Sequence, residues 1–164
     1  MRVIADTSPL NYLVWIDLAE IIPKLYGSLI IPIEVHAELL ADDAPVVVRA
    51  WAKSLPEWIE VQTPNVGLRD DPRWKTLDLG ERAALALATA VHPSILLIDE
   101  RAGSAIARSL GLSITGTLGV LDEAARRGLI RLPDAIHRLK QTSFRYPKAI
   151  VDRLLDEDAR RLTS

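Results

Sequence analysis

The stretch Arg2-Val3-Ile4-Ala5-Asp6-Thr7-Ser8-Pro9-Leu10 decides the fold of this chain. Its apolar residues 3–5 follow one another without polar alternation, which predicts a strand buried on both faces. We expect Ser8 to cap the helix that follows. Pro9 suits the first turn of that helix, because the first amides of a helix have no intrahelical partner. Asp6 then lies where a strand ends and a helix is about to begin. In open α/β sheets that edge binds ligands, although a turn or cap role would by itself also explain an aspartate.

A second apolar run ends in an acid in the same way. Residues 94–98 are followed at once by Asp99 and Glu100. If the two strands are parallel neighbours, Asp6 and Asp99 emerge side by side at one edge of the sheet. Two carboxylates held close together repel each other unless a proton or a cation lies between them. The pattern therefore predicts that something binds at this edge.

Length and composition set the class of protein. The chain has 164 residues, 49% of them hydrophobic and 26% charged, which suits one globular domain with a sizeable core. It has no cysteine, which excludes disulfides, thiolate metal sites and cysteine nucleophiles. We see no signal peptide and no membrane-spanning stretch, so we expect a cytoplasmic protein without a membrane partner. The net charge of −2 argues against a strong general affinity for nucleic acid.

Strands and helices alternate along the chain, which predicts βαβ units and a parallel sheet covered by helices on both faces. Beyond residues 3–5, the predicted strands are 28–31, 58–61, 94–98 and 112–115, and the predicted helices are 11–26, 33–41, 46–55, 82–91, 101–110, 120–127, 133–140 and 147–158. The segment 62–76 reads as a long loop, and long loops tend to be functional or mobile. Its Trp74 could pack as a lid or contact a partner.

Three further acids could reach the carboxyl edge. Glu34 and Glu38 lie one turn apart on a predicted helix, and spacing alone does not choose between them; helix patterning places such residues most often in solvent. Glu81 lies in the first turn of an alanine-rich helix, where the helix dipole alone would account for a carboxylate. Gly80 before it removes any side chain that could screen Glu81 from the sheet edge.

Five motifs in this order resemble the PIN-domain family, and most closely its VapC-toxin-like prokaryotic branch. They are Asp6-Thr7-Ser8-Pro9-Leu10, Ile31-Pro32 with Val35 and Glu38-Leu39, Leu79-Gly80-Glu81 with Ala84, Leu97-Ile98-Asp99, and Gly116-Thr117-Leu118-Gly119. The match runs from Arg2 to about Arg131. The resemblance implies an α/β/α three-layer sandwich around a central parallel sheet. It divides the chain into a PIN-like domain over residues 1–131 and extra C-terminal helices over 132–164, packed on the same domain.

The resemblance also implies a site and an activity. The implied catalytic and metal-binding residues are Asp6, Glu38, Glu81 and Asp99, with Thr7, Ser8, Glu100 and Thr117 in support. The implied activity is cleavage of RNA phosphodiesters with Mg²⁺ or Mn²⁺, as the toxin of a toxin–antitoxin pair or a relative of one. The implied partners are the RNA, an antitoxin protein and a second copy of the chain. Whether Asp99 or Glu100 lies nearer the metal stays open.

The chemistry of the residues agrees with this site. Hard divalent cations take oxygen ligands, and Mg²⁺ keeps several waters while it binds one or two carboxylates. We expect Asp6 and Asp99 as direct ligands, and Glu38 and Glu81 as ligands through water or as positioning bases. The alternative is a non-catalytic PIN-like module that acts through protein partners, which the scarcity of aromatic residues would suit. A phosphatase-like domain ranks below both, since Ser8 stands where a second acid would be expected.

Overall fold

A five-stranded, all-parallel sheet forms the centre of the protein. The computed structural model describes residues 1–65, 70–99 and 101–164, and everything below refers to these. The strands are β1 (Val3–Ala5), β2 (Leu29–Pro32), β3 (Ile59–Gln62), β4 (Ile95–Leu97) and β5 (Ile114–Thr115). Their order across the sheet is β3-β2-β1-β4-β5. The strand at the start of the chain therefore lies in the middle.

Nine α-helices are present in the described residues. They are α1 (Thr7–Trp15), α2 (Ile21–Tyr26), α3 (Ile33–Leu39), α4 (Val46–Ala52), α5 (Leu79–Val91), α6 (Arg101–Ser109), α7 (Thr117–Arg126), α8 (Leu132–Lys140) and α9 (Lys148–Thr163). A one-turn 3₁₀ helix occupies Pro72–Trp74. None of these helices is long and apolar enough to cross a membrane.

The strands are apolar on both faces because a core lies on each side of the sheet. Val3 and Ala5 pack into one core together with residues of α1–α4 and α7–α9. Ile4, between them in sequence, packs into the other core with residues of α5 and α6. Successive side chains of a strand point to opposite faces, so an unbroken apolar run is the pattern of a strand that is covered twice. The predicted α/β/α sandwich is confirmed.

The chain reverses direction across the sheet between β1 and β4. From β1 it proceeds outward to β2 and β3, and it then returns to the other side of β1 to form β4 and β5. The pairing of β1 with β4 is in register at Ala5 and Leu97. The amide of Asp6 extends this pairing by donating to the carbonyl of Leu97 at 2.9 Å. Such a switch point opens a crevice at the carboxyl ends of the strands.

The C-terminal helices α8 and α9 belong to the core that contains Val3 and Ala5. Leu132, Leu139 and Val151 are each 1% exposed or less and belong to the same cluster as residues of α1 and α7. The division of the chain at residue 131 stays a prediction, and so does the cytoplasmic location.

Two local predictions are wrong. The helix expected over residues 11–26 is two helices, because Asp17 takes a positive φ of 61° in the turn that separates α1 from α2. Pro23 lies inside α2 and does not cause the break. Trp74 is neither a lid nor a free contact: it is 4% exposed and packs in the core beneath α5.

Candidate metal centre

The site begins at Asp6, the first residue after the central strand. Asp6 occupies the N-cap position of α1, but its side chain makes no capping hydrogen bond. The prediction that Ser8 caps this helix is wrong, because the helix starts at Thr7 and Ser8 lies inside its first turn. The Asp6 carboxyl group thus lies at the sheet edge, at the end of β1. A capping role does not explain why an aspartate is present there.

Asp6 is buried with an unsatisfied oxygen. The residue is 3% exposed, and its Oδ1 atom has no hydrogen-bond partner among the described residues. Burial raises the pKa of Asp6 well above the usual value, and the charges of Asp78, Glu81 and Glu38 raise it further, against a lowering by the Thr7 backbone. A buried polar atom without a partner is costly and rare. Within the described residues this carboxylate has neighbours of its own sign and no compensating cation.

Three carboxylates meet here. Asp6, Glu38 and Asp78 each offer one oxygen, and these three oxygens lie within 4.8 Å of one another. Asp6 comes from the end of β1, Glu38 from the last turn of α3, and Asp78 from the residue that precedes α5. Three separate segments therefore deliver acids to one point at the switch of the sheet. Oxygen donors at this spacing suit a hard divalent cation.

Neutral donors hold Glu38 in the group. The Thr7 hydroxyl donates a short hydrogen bond to Oε2, and the amide of Gly80 donates to Oε1 at 2.9 Å. Burial raises the pKa of Glu38 and the charge of Asp78 adds to the rise, while the bonds from Thr7 and Gly80 oppose it. Glu34, one turn earlier, is buried but is not a member of the group.

Gly80 is required by the approach of Glu38. A Cβ atom at position 80 would lie 2.5 Å from Oε2 of Glu38. The sequence argument had Gly80 clearing the way for Glu81, which is wrong: the space is filled by the carboxylate of Glu38. Gly116 stands in the same relation to Asp99, since a Cβ atom there would lie 2.5 Å from Oδ1.

Asp78 is the acid that the sequence analysis missed. It caps α5 in a reciprocal capping box: its Oδ1 accepts from the Glu81 amide at 2.8 Å, and Oε2 of Glu81 accepts from the Asp78 amide at 3.2 Å. The spacing of the two acids is the signature of such a box and predicts a helix start. That reading could have placed Asp78 at the start of α5 beside Glu81, although not in contact with Glu38.

Asp99 is held at the neighbouring strand end. Its Oδ1 accepts from the Thr117 amide at 2.7 Å, and its Oδ2 accepts from the hydroxyls of Thr117 at 2.6 Å and Ser8 at 3.0 Å. Asp99 and Glu81 are not members of the three-carboxylate group, but both border the open cleft beside Ser8. Glu100 lies outside the described residues.

A comparison with protein families settles what kind of domain this is. A family model described as a PIN domain (DUF3368) matches residues 2–159. The chain belongs to the PIN-domain family. This match extends past residue 131 into α9, further than the motifs noted in the sequence. No curated protein and no solved structure matches the chain significantly. PIN domains are in general metal-dependent nucleases, and the acids of this PIN domain provide a candidate centre for a divalent ion.

Replacing Asp6 by Asn should stabilise the protein in the absence of metal. A group whose pKa is raised in the folded state stabilises the fold while it is protonated, and this contribution is lost as the pH rises through the folded-state pKa. The difference in Tm between Asp6→Asn and the wild type, measured in EDTA, should therefore grow from about pH 4, near the ordinary pKa of aspartate, to neutral pH. At neutral pH we expect a gain of about 1 kcal/mol, because a neutral amide replaces a buried carboxyl group that has an unpartnered oxygen. A difference that does not change with pH would contradict this.

Replacing Gly80 by Ala should weaken metal binding by moving Glu38. The new methyl group overlaps the carboxylate, and disturbed outer partners of metal ligands cost about 10- to 100-fold in affinity. Helix propensity acts the other way, because alanine is more favourable than glycine by about 1 kcal/mol in a helix interior. Calorimetric titration with Mn²⁺ measures the affinity. Unchanged Mn²⁺ affinity together with a raised Tm would show that Glu38 does not need this space.

Proposed function

We propose that this PIN domain is a metal-dependent endoribonuclease that hydrolyses RNA phosphodiester bonds. The observation that carries the proposal is the carboxyl group of Asp6, which is buried with one oxygen that has no hydrogen-bond partner among the described residues and which belongs to the same group as Glu38 and Asp78. A divalent cation would satisfy that oxygen and offset the repulsion within the group. Family membership supports a nuclease, and the sequence motifs of the VapC-like branch support RNA as the substrate.

In this proposal Asp6, Glu38 and Asp78 hold Mg²⁺ or Mn²⁺. Asp99 and Glu81 remain proposed members of the site on the side of the open cleft, where a substrate phosphate can enter. A bound metal of this kind supplies an activated water for attack on phosphorus and stabilises the charge on the leaving oxygen. The nucleophile is therefore water, and no side chain needs to form a covalent intermediate.

The contribution of the chain's own residues is to fix the carboxylates. Thr7 and Gly80 leave Glu38 one orientation, because each of its oxygens accepts a bond from a different element. Thr117 and Ser8 do the same for Asp99. All of these donor groups are neutral, so they orient the acids without cancelling the negative charge that attracts a cation. A prearranged set of ligands binds a metal without the cost of ordering them at the moment of binding.

The biological role that we propose is that of the toxin in a toxin–antitoxin pair, or a relative of one. The support is the VapC-like pattern of the sequence. The proposed partners are an antitoxin protein that covers the acidic site and a second copy of the chain. Light scattering on the purified protein measures its oligomeric state, and a monomer at all concentrations would remove the homodimer from the proposal.

Mn²⁺ binding and RNA cleavage should be lost together when the group is broken. We expect Asp6→Asn, Glu38→Gln and Asp78→Asn each to reduce Mn²⁺ affinity at least about tenfold and to abolish cleavage of a structured RNA, because metal affinity follows ligand charge and number. EDTA should abolish cleavage by the wild type. Calorimetry and gel analysis of labelled RNA measure the two effects.

The matched control for these variants is Glu34→Gln. It removes a buried carboxylate from the same helix as Glu38 but from outside the group, and it should leave Mn²⁺ affinity within about twofold, since the number of charged ligands in the group is unchanged. Cleavage retained by Asp6→Asn would remove Asp6 from the site. A wild type that folds but binds no Mn²⁺ would favour the non-catalytic module that acts through protein partners.

A further inference from the structure

Two open clefts meet at Asp99, and the segment between α8 and α9 forms their common border. One cleft, of about 350 Å³, contains Ser8 and Glu81. The other, of about 380 Å³, contains Ser104 and Arg108. Asp99, Phe144 and Arg145 border both. The two clefts therefore adjoin at Asp99, and the second of them is lined by two arginines, Arg108 and Arg145.

Arg108 and Arg145 are exposed, and neither has a carboxylate partner among the described residues. Neither forms an ion pair within 4.0 Å in the parts of the chain that the structure describes. Arg126 and Arg127, by contrast, are paired: Arg126 with Asp122 at 2.9 Å and Arg127 with Glu123 at 2.9 Å. A guanidinium without a carboxylate keeps its planar set of donors available for a phosphate. The two unpaired arginines thus lie where an anionic ligand of the cleft would meet them.

The segment that carries Arg145 is fixed on α1, the helix that starts beside Asp6. The hydroxyl of Tyr12 lies 3.1 Å from the hydroxyl of Ser143. The ring of Phe144 meets the ring of Tyr12 edge-on, with 5.0 Å between centroids and 70° between planes. The Phe144 amide donates to the Thr142 hydroxyl at 3.1 Å, which in turn donates to the Leu139 carbonyl at 2.6 Å. The segment is therefore attached both to α1, through Tyr12, and to the end of α8, through Leu139. Arg145 follows directly after these contacts in the chain.

An acidic metal centre needs cations beside it if it is to hold a polyanion. The net charge of the chain is −2, so nonspecific attraction of nucleic acid is weak. The carboxylates themselves repel phosphate until a cation is bound. Phosphate contacts from arginine fix the register of a nucleic-acid strand without reading its sequence. A positioning role of this kind has to be supplied locally, and Arg108 and Arg145 are exposed cations that line the cleft beside Asp99.

We propose that Arg145, together with Arg108, binds a phosphate of the RNA strand next to the bond that is cleaved. The inference rests on the proposed ribonuclease function and adds the surface that holds the substrate. In this role Arg145 is a residue that positions the substrate, Phe144 is the apolar side of the same cleft, and Tyr12 positions the segment from α1.

Binding of a labelled single-stranded RNA tests this surface. The protein is used in the Asp6→Asn background to prevent cleavage, and Arg145→Ala is compared with Arg153→Ala. Arg153 is an exposed arginine of α9 that borders neither cleft, so the control carries the same change in charge on the same part of the chain. Arg145→Ala should weaken binding about tenfold at low salt. It should also make the negative slope of log K against log[salt] shallower by about 0.7, the value for one phosphate contact on a single strand.

Three further measurements make the outcome decisive. Arg145→Lys should restore the salt slope but only part of the affinity, since lysine keeps the charge and loses the paired donors. The loss in Arg145→Ala should be the same for two RNAs of unrelated sequence, because a phosphate contact carries no sequence information. Mn²⁺ affinity in the otherwise wild-type chain should be unchanged by Arg145→Ala, which separates this surface from the metal group.

The outcomes distinguish this inference from the proposed function. Cleavage by the wild type, with an Arg145→Ala variant that binds and cleaves like Arg153→Ala, would overturn the substrate surface and leave the ribonuclease. RNA binding that depends on Arg145, in a wild type that does not cleave RNA with any divalent metal, would overturn the ribonuclease and leave the surface. A wild type that neither binds nor cleaves RNA would overturn both.

Discussion

The buried carboxylate of Asp6 is the constraint on which the site depends. The central strand carries it into the crevice where the order of the strands reverses, and one of its oxygens finds no partner among the described residues. Glu38 and Asp78 are brought to the same point, so the fold collects negative charge where desolvation makes charge most expensive. A structural acid at a strand end would be capped, paired or solvated. In the proposed function this carboxylate binds a cation, and the cost of its burial is then part of the function and not a defect of packing.

The carboxylates of Glu38 and Asp99 have similar surroundings. Neutral donors orient each carboxylate, and a glycine leaves space for it. Hydroxyls and amides contact Glu38 and Asp99, and Gly80 and Gly116 allow close approach of those two carboxylates. No described lysine or arginine forms an ion pair with Asp6, Glu38, Asp78 or Asp99. An arginine inside the group would cancel the charge that a metal requires, whereas arginines one cleft away leave that charge intact and are available to a phosphate. In the proposed function, this division between an anionic centre and a cationic border suits the hydrolysis of a polyanion.

The sheet and part of the candidate site could be predicted from the sequence. Strands buried on both faces read as unbroken apolar runs, so β1 and β4 and the acids at their ends, Asp6 and Asp99, could be placed from residue order alone. Asp78 could not be ranked as a candidate ligand, because an aspartate before a helix has an ordinary role as a cap, and only the packing of α5 against α3 brings it to Glu38. The same applies to Trp74, whose burial depends on where the loop folds back, and to Asp17, whose positive φ leaves no mark in a hydrophobic pattern. Nothing local to residues 141–147 indicates that they reach a cleft that begins on the first helix.

The most direct test of this account is a crystal structure of the protein with Mn²⁺, with the anomalous signal used to locate the ion. The account predicts a peak bound by the free oxygen of Asp6 and by Glu38 and Asp78, at coordination distances of about 2.0–2.3 Å, near those of small divalent cations with oxygen ligands. Thr7 and Gly80 should keep their bonds to Glu38 in that structure. A well-ordered structure in which the three carboxylates carry no peak at saturating Mn²⁺, or in which the ion lies elsewhere, would contradict it.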